Sequence, residues 1–358
     1  MRRIFTLLTL ALLTTATLSA QQVKNIIYLI GDGMGLASVS MMQLENKYEP
    51  TVFDRADNIA LQKTYSADNR VTDSAASGTA LATGSKTNNT FISVTPDGEP
   101  LESLMELAAT KGMATGLVVT TYIQHATPAV FYAHHTSRHA YTEISRQLLD
   151  SDIDVAIGGG MAFFDELYGS RDEAVAKMHS KGFDYAATME TLLAYDGAKP
   201  LIALLADKEV GANSGDYLAT ATREALRLLD ARDDDNGFVL MVEGSLIDGM
   251  GHGNDAEAQQ LEIQGFMGAI EAALAYAESN PDTLVVVTAD HETGGLSLVS
   301  GNADFNLSEQ GVEYRWTTNG HSGVMIPIYL YGKGAELING VIENAELGSA
   351  LKAIIANK

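Results

Sequence analysis

Five short apolar runs recur along this chain, four of them ending within three residues of a glycine or a carboxylate. The runs are Asn25-Ile26-Ile27-Tyr28-Leu29-Ile30, Gly116-Leu117-Val118-Val119-Thr120, Val155-Ala156-Ile157, Phe238-Val239-Leu240-Met241-Val242 and Leu284-Val285-Val286-Val287. Each suits a strand buried on both faces, because none alternates polar with apolar residues. The stretches between them carry helical periodicity, notably residues 101–111, 217–229 and 256–279. Strands separated by helices pair in parallel, since each return crossover lays a helix over the sheet. The chain is therefore expected to form an α/β fold with a central, largely parallel sheet and helices on both faces, in three layers. Residues 161–200 read as a helical excursion and residues 301–313 as a polar loop.

In such sheets ligands gather beyond the carboxyl ends of the strands. The first run leads into Gly31-Asp32-Gly33-Met34-Gly35, the fourth into Glu243-Gly244 and the fifth into Thr288-Ala289-Asp290-His291, while His125 stands a few residues past Val119. Asp248 and His252 are four residues apart, which puts them on one face of a helical turn as a usable chelate. His321 sits in the glycine-bounded loop Gly320-His321-Ser322-Gly323. Mixed oxygen and imidazole donors suit zinc, and an all-oxygen set suits magnesium. His134, His135 and His139 read as surface residues or as supports behind the ligands, and His179 as solvated.

The segment Val71-Thr72-Asp73-Ser74-Ala75-Ala76-Ser77-Gly78 offers a hydroxyl, Ser74, flanked by small residues that let a substrate approach. A serine needs activation to attack at neutral pH, and a strand-end Asp-His pair holding a cation supplies it. Arg138 adds a planar fork able to hold two oxygens of one anion. A metal-dependent hydrolase is the chemistry these residue types share.

In these residues the chain resembles the alkaline phosphatases of the two-zinc, one-magnesium superfamily. The resemblance runs through five ordered blocks: residues 31–35, residues 72–77, residues 126–138, residues 243–252, and Asp290-His291 with His321. It implies a phosphomonoesterase that converts phosphate monoesters to alcohol and inorganic phosphate through a phosphoserine on Ser74, with a broad substrate range. It also implies that Arg138 holds the phosphoryl oxygens and that Asp73 positions the arginine and the serine loop. One zinc is expected on Asp248, His252 and His321, and a second on Asp32, Asp290 and His291. A magnesium would share Asp32 with Thr127 and Glu243. A homodimer is implied as well.

Two positions vary within that family. His125 borders the magnesium site, where direct ligation would shift preference toward zinc or cobalt. Gly249 stands where other members carry a side chain near the phosphate, so another residue or water must take that place. Sulfatases of the superfamily use a modified residue in a motif with Pro and Arg, which Ser74-Ala75-Ala76-Ser77 lacks. Phosphodiesterases would be expected to lack Arg138, Thr127 and Glu243. A cation- or phosphate-binding protein without catalysis would not need Ser74.

Composition narrows the setting. Met1-Arg2-Arg3 followed by an apolar stretch and Leu18-Ser19-Ala20 reads as a signal peptide cleaved after Ala20, hence export to a periplasm or medium. Residues 21–358 are then expected to form a single catalytic domain, without a membrane span. The chain has no cysteine, which excludes a disulfide framework and thiolate chemistry. With 23 basic against 46 acidic side chains the surface repels phosphate backbones, so duplex nucleic acid is not an expected partner.

Overall fold

The computed structural model describes residues 23–197, 199–211, 215–232, 235–301 and 311–358. The leader expected at residues 1–20 and most of the loop expected at 301–313 lie outside the described residues. The strands are, in chain order, β1 (Asn25–Gly31), β2 (Asn58–Lys63), β3 (Ala114–Tyr122), β4 (Val155–Gly159), β5 (Asp184–Ala186), β6 (Leu201–Leu204) and β7 (Phe238–Gly244). They continue with β8 (Thr283–Thr288), β9 (Glu292–Thr293), β10 (Ser297–Ser300), β11 (Val312–Arg315), β12 (His321–Ser322), β13 (Ile326–Gly332) and β14 (Gly340–Glu343).

Ten of these strands form one sheet in the order β14-β2-β13-β8-β1-β7-β3-β4-β6-β5. From β8 to β5 every pairing is parallel. β13 runs antiparallel to both β8 and β2, so the sheet is mixed at that side. Side chains of each central strand divide between two cores, as the pleat requires. On β1, Ile26, Tyr28 and Ile30 join one core and Ile27 and Leu29 the other; β7 divides Val239 and Met241 from Leu240 and Val242. The first core is closed by Leu81, Leu104, Ile144, Phe164 and Leu351 from overlying helices, the second by Met41, Leu229, Phe266 and Ile270. That is a three-layer α/β architecture.

Residues 161–200 depart from the expected helical excursion. Met161–Tyr168, Arg171–Ser180 and Met189–Leu193 are helical, but Asp184–Ala186 becomes β5, the outermost strand of the sheet. A three-residue segment that opens on an aspartate has no apolar run to betray it. Its pairing with β6 makes it a strand.

The helix Ser74–Thr83 is buried along its whole length. It lies against the C-terminal helix Asn344–Ala356, which approaches so closely that a Cβ at Gly348 would come within 2.4 Å of the Ala80 carbonyl oxygen. Among the described residues no helix is long and apolar enough to cross a membrane.

His134, expected as a surface residue or a support, is built into the fold. Its Nδ1 lies 2.8 Å from the Ser93 carbonyl oxygen and its Nε2 2.8 Å from Glu106 Oε1. The hydrogen bond to Glu106 raises the His134 pKa above the ordinary imidazole value, against the opposing effect of burial. A raised histidine contributes stability that is full below its unfolded value, about 6.5, and is lost as pH rises through its folded value. His134→Gln is thus expected to cost about 0.5–1 kcal/mol at pH 6, the pair being partly exposed and screened, and less at pH 9. Urea unfolding at the two pH values checks it; a loss of equal size at both would remove the ion pair from the account.

Candidate active site

The carboxyl ends of the four central strands supply the site. Asp32 follows β1, Glu243 is near the end of β7, and Asp290 with His291 comes just after β8. His125 and Thr127 lie beyond β3, at the cap and in the first turn of the short helix Ala126–Ala129. Asp248 and His252 occupy the helix Leu246–His252 that follows β7. His321 arrives from far along the chain because β12 pairs antiparallel with β9, setting His321 opposite Thr293 and Ser322 opposite Glu292. The backbone at Gly33 has φ of +71°, and a Cβ there would meet the Asp248 Cα at 2.9 Å, so the turn after β1 requires glycine.

Ser74 opens its helix and is 2 % exposed. The cap residue is Asp73, whose Oδ1 accepts from the Ala76 N–H at 3.0 Å and whose carboxylate accepts from the Thr90 N–H at 3.1 Å. Arg138 Nη1 donates to Asp73 Oδ2 at 3.0 Å. One carboxylate therefore joins the helix start, a neighbouring loop and the guanidinium. Ser74 Oγ stands 3.2 Å from His291 Nε2. The same nitrogen is 3.2 Å from Asp290 Oδ2 and 3.5 Å from Asp32 Oδ1.

Donor atoms converge in three groups, each within 4.8 Å: Asp248, His291 and His321; Asp32, Asp290 and His291; and Asp32, His125 and Glu243. His252 falls outside all three. Its Nδ1 is drawn to the Asn319 carbonyl oxygen at 2.5 Å, while its Nε2 lies 3.2 Å from Asp248 Oδ2. His321 instead stacks on His291 with ring centroids 3.6 Å apart, and its Nδ1 is 2.8 Å from the Thr72 carbonyl oxygen.

The electrostatics are those of a site short of positive charge. Burial pushes Asp32 well above the carboxylate range, with repulsion from Asp290, Asp248 and Glu243 adding to it. Burial takes Glu243 up to about 8 and Asp290 to about 6. Asp248 goes the other way: burial opposes its charge, but hydrogen bonding to His252 and the nearby His291 hold it below the usual range. That bond in turn raises His252 to about 9. Burial depresses His291 well below its ordinary value and His125 to about 3, Arg138 adding to the effect on His125.

The residues fit divalent cations. Both oxygens of Asp32, Glu243 Oε1, Asp290 Oδ2, Thr127 Oγ1 and His125 Nδ1 are buried without a hydrogen-bond partner. Buried polar atoms are normally paired, and carboxylates left so are costly unless a cation holds them. His125 is a special case. Arg138 Nη2 lies 3.2 Å from its Nε2, and a guanidinium only donates, so neutral His125 carries its proton on Nδ1. In that arrangement neither ring nitrogen has a free lone pair. Gly249 leaves open space, since a Cβ there would meet nothing within 4 Å.

Thr293 and Glu292 belong to the site's framework, though the sequence reading gave them no role. The Thr293 hydroxyl reaches Asp248 and His291, and the buried Glu292 carboxylate accepts from the Leu296 N–H at 3.0 Å and from the Ser322 hydroxyl. The available signal was local: in an extended Asp290-His291-Glu292-Thr293, residues 291 and 293 share a side.

Residues 23–310 match the model of one protein family, described as alkaline phosphatase. Alkaline phosphatase 3 of Bacillus subtilis is 32% identical over 94% of this chain and 90% of its own length. Streptomycin-6-phosphate phosphatase of Streptomyces griseus is 31% identical over 93% of this chain and 90% of its own. Among solved structures, the alkaline phosphatase of the Antarctic bacterium TAB5 superimposes with a TM-score of 0.87 at 36% identity, over 94% of this chain and 98% of that one. A variant of that TAB5 enzyme with magnesium in its M3 site gives the same TM-score at 35% identity, with the same coverage.

Proposed function

The chain belongs to the alkaline phosphatase family and is a metal-dependent phosphomonoesterase, and on that premise we propose that Ser74 is its nucleophile and that turnover passes through a phosphoserine. The observation that carries this reading is the placing of Ser74 Oγ at a helix start, 3.2 Å from His291 Nε2 and within the donor clusters. Ser74 Oγ forms a bond to phosphorus while the ester P–O bond breaks, and the alcohol leaves with a proton. Water then attacks the same phosphorus, the bond to Ser74 breaks, and inorganic phosphate departs. One water is consumed per ester.

The chain's own residues prepare each part. The helix start directs backbone N–H groups toward an arriving anion. Arg138 engages Asp73 through Nη1 and His125 through Nη2, and each of those nitrogens keeps a second N–H for the phosphoryl oxygens. Asp248, His252 and His321 would hold one zinc, and Asp32, Asp290 and His291 the other. Asp32, Thr127 and Glu243 would hold a magnesium. Ligation by His125, and with it any preference for zinc or cobalt, would require Arg138 to shift. Cations bound there supply the Lewis acidity and positive charge that a dianionic ester demands.

Arg138→Ala is expected to lower kcat/KM for p-nitrophenyl phosphate about a hundredfold, the scale of losing one preorganised donor to a developing oxyanion. The defect should be smaller for the bis ester, which has one fewer charged oxygen. Parallel assays of both esters on the wild type test the wider reading. Preference for the monoester is expected, and preference for the diester would overturn it. A broad range of leaving groups is part of the same proposal. Export of the mature chain and assembly as a homodimer complete the proposal.

A further inference from the structure

We propose that Thr293 is a positioning residue whose single hydroxyl sets the hydrogen-bond direction of two cation-binding clusters at once. Its place is fixed from three sides. Thr293 is fully buried, it pairs with His321 across β9 and β12, and its N–H donates to the Gly33 carbonyl at 3.1 Å. The hydroxyl oxygen lies 2.5 Å from Asp248 Oδ1 and 3.2 Å from His291 Nδ1. An ionised carboxylate only accepts, and a hydroxyl has one hydrogen, so that hydrogen goes to Asp248. Toward His291 the oxygen can then only accept, which places the imidazole proton on Nδ1. The lone pair of Nε2 is left facing Ser74, Asp32 and Asp290, where a cation needs it. The opposite direction would leave Asp248 Oδ1 without this donor, and the shorter of the two distances is the one to Asp248. A Cβ at Gly33 would lie 2.8 Å from this hydroxyl, so the hydroxyl is closely packed. The same group thus orients a carboxylate of one cluster and selects the tautomer of a histidine shared by two. The inference rests on reading these clusters as cation sites.

Thr293→Val keeps the shape and removes the hydroxyl, Thr293→Ala removes it with less bulk, and Thr293→Ser retains it. Zinc affinity of the full-length proteins is measured by competition with a chromophoric chelator, and imidazole tautomers by nitrogen NMR on the metal-stripped proteins. The expected result is zinc binding weakened about 10- to 100-fold in the Val and Ala variants, as for other groups that orient a ligand. The Nδ1-protonated form of His291 should lose its dominance in both, and Ser should restore both readouts. Val or Ala variants that hold zinc as tightly as the wild type overturn this inference alone. So does a weakening that Ser fails to rescue, since packing would then be the cause. A wild type that binds no zinc overturns the function proposed above and this inference with it.

Discussion

Ser74→Ala yields a folded protein that still binds cations and turns over p-nitrophenyl phosphate at least about a thousandfold more slowly, the scale of losing a nucleophile while binding groups remain. The substitution removes one oxygen from a buried position already followed by Ala75 and Ala76, so the helix tolerates it. None of the proposed ligands depends on the serine hydroxyl. His291 Nε2 loses a contact at 3.2 Å but keeps Asp290 and Asp32 beside it. The defect therefore falls on turnover and leaves zinc affinity and melting temperature near wild type. Labelled substrate quenched in acid provides the second readout: the wild type carries phosphate on Ser74 and the variant carries none. Unchanged turnover in the variant would assign the nucleophile elsewhere.

Stripping the divalent cations with EDTA is expected to lower the melting temperature by about 5 °C near pH 8, and by much less at pH 5. The reason is the crowd of carboxylates at the strand ends. Asp32, Glu243 and Asp290 are buried, carry unpartnered oxygens, and have pKa values raised by burial, Glu243 to about 8 and Asp290 to about 6. For an acid raised in the fold, stability is intact below the unfolded value, near 4, and is lost as pH climbs through the folded value. The metal-free protein should thus weaken from about pH 4 to about pH 8 as Asp290 and Glu243 ionise. The loss is on the order of a few kcal/mol, at roughly 1.5 °C per kcal/mol for a chain of this length, whose unfolding entropy grows with the number of residues. Bound cations neutralise the same carboxylates and remove that slope. Equal melting temperatures with and without EDTA across this range would show that the clusters hold no ion of consequence.

Much of this was legible before any coordinates. β1, β3, β4, β7 and β8 were visible as apolar runs because a strand buried on both faces is apolar along most of its length. Asp32, Glu243, Asp290 and His291 could be picked out because they end those runs, and Ser74 because small residues surround it. β5 was not legible, since three residues carry no pattern and pairing alone creates the strand. The sequence left His134 between a surface and a supporting place because its partners, Ser93 and Glu106, are distant in the chain.

The sequence by itself determined the alternation of strand and helix, the side of the sheet where the polar residues collect, and the kinds of donor gathered there. Those are consequences of hydrophobic periodicity and local chain direction, which act over a few residues. Tertiary structure alone decided which donors meet. His291 and His321 stack beside Asp248, the Asn319 carbonyl holds His252 by Nδ1 with Nε2 toward Asp248, Arg138 occupies His125, and Thr293 bridges two clusters. Most of those choices are hydrogen bonds or a strand pairing between segments far apart in the chain, Thr72 with His321, Thr293 with Asp248 and β9 with β12 among them. Their direction depends on where loops return, which no local pattern encodes.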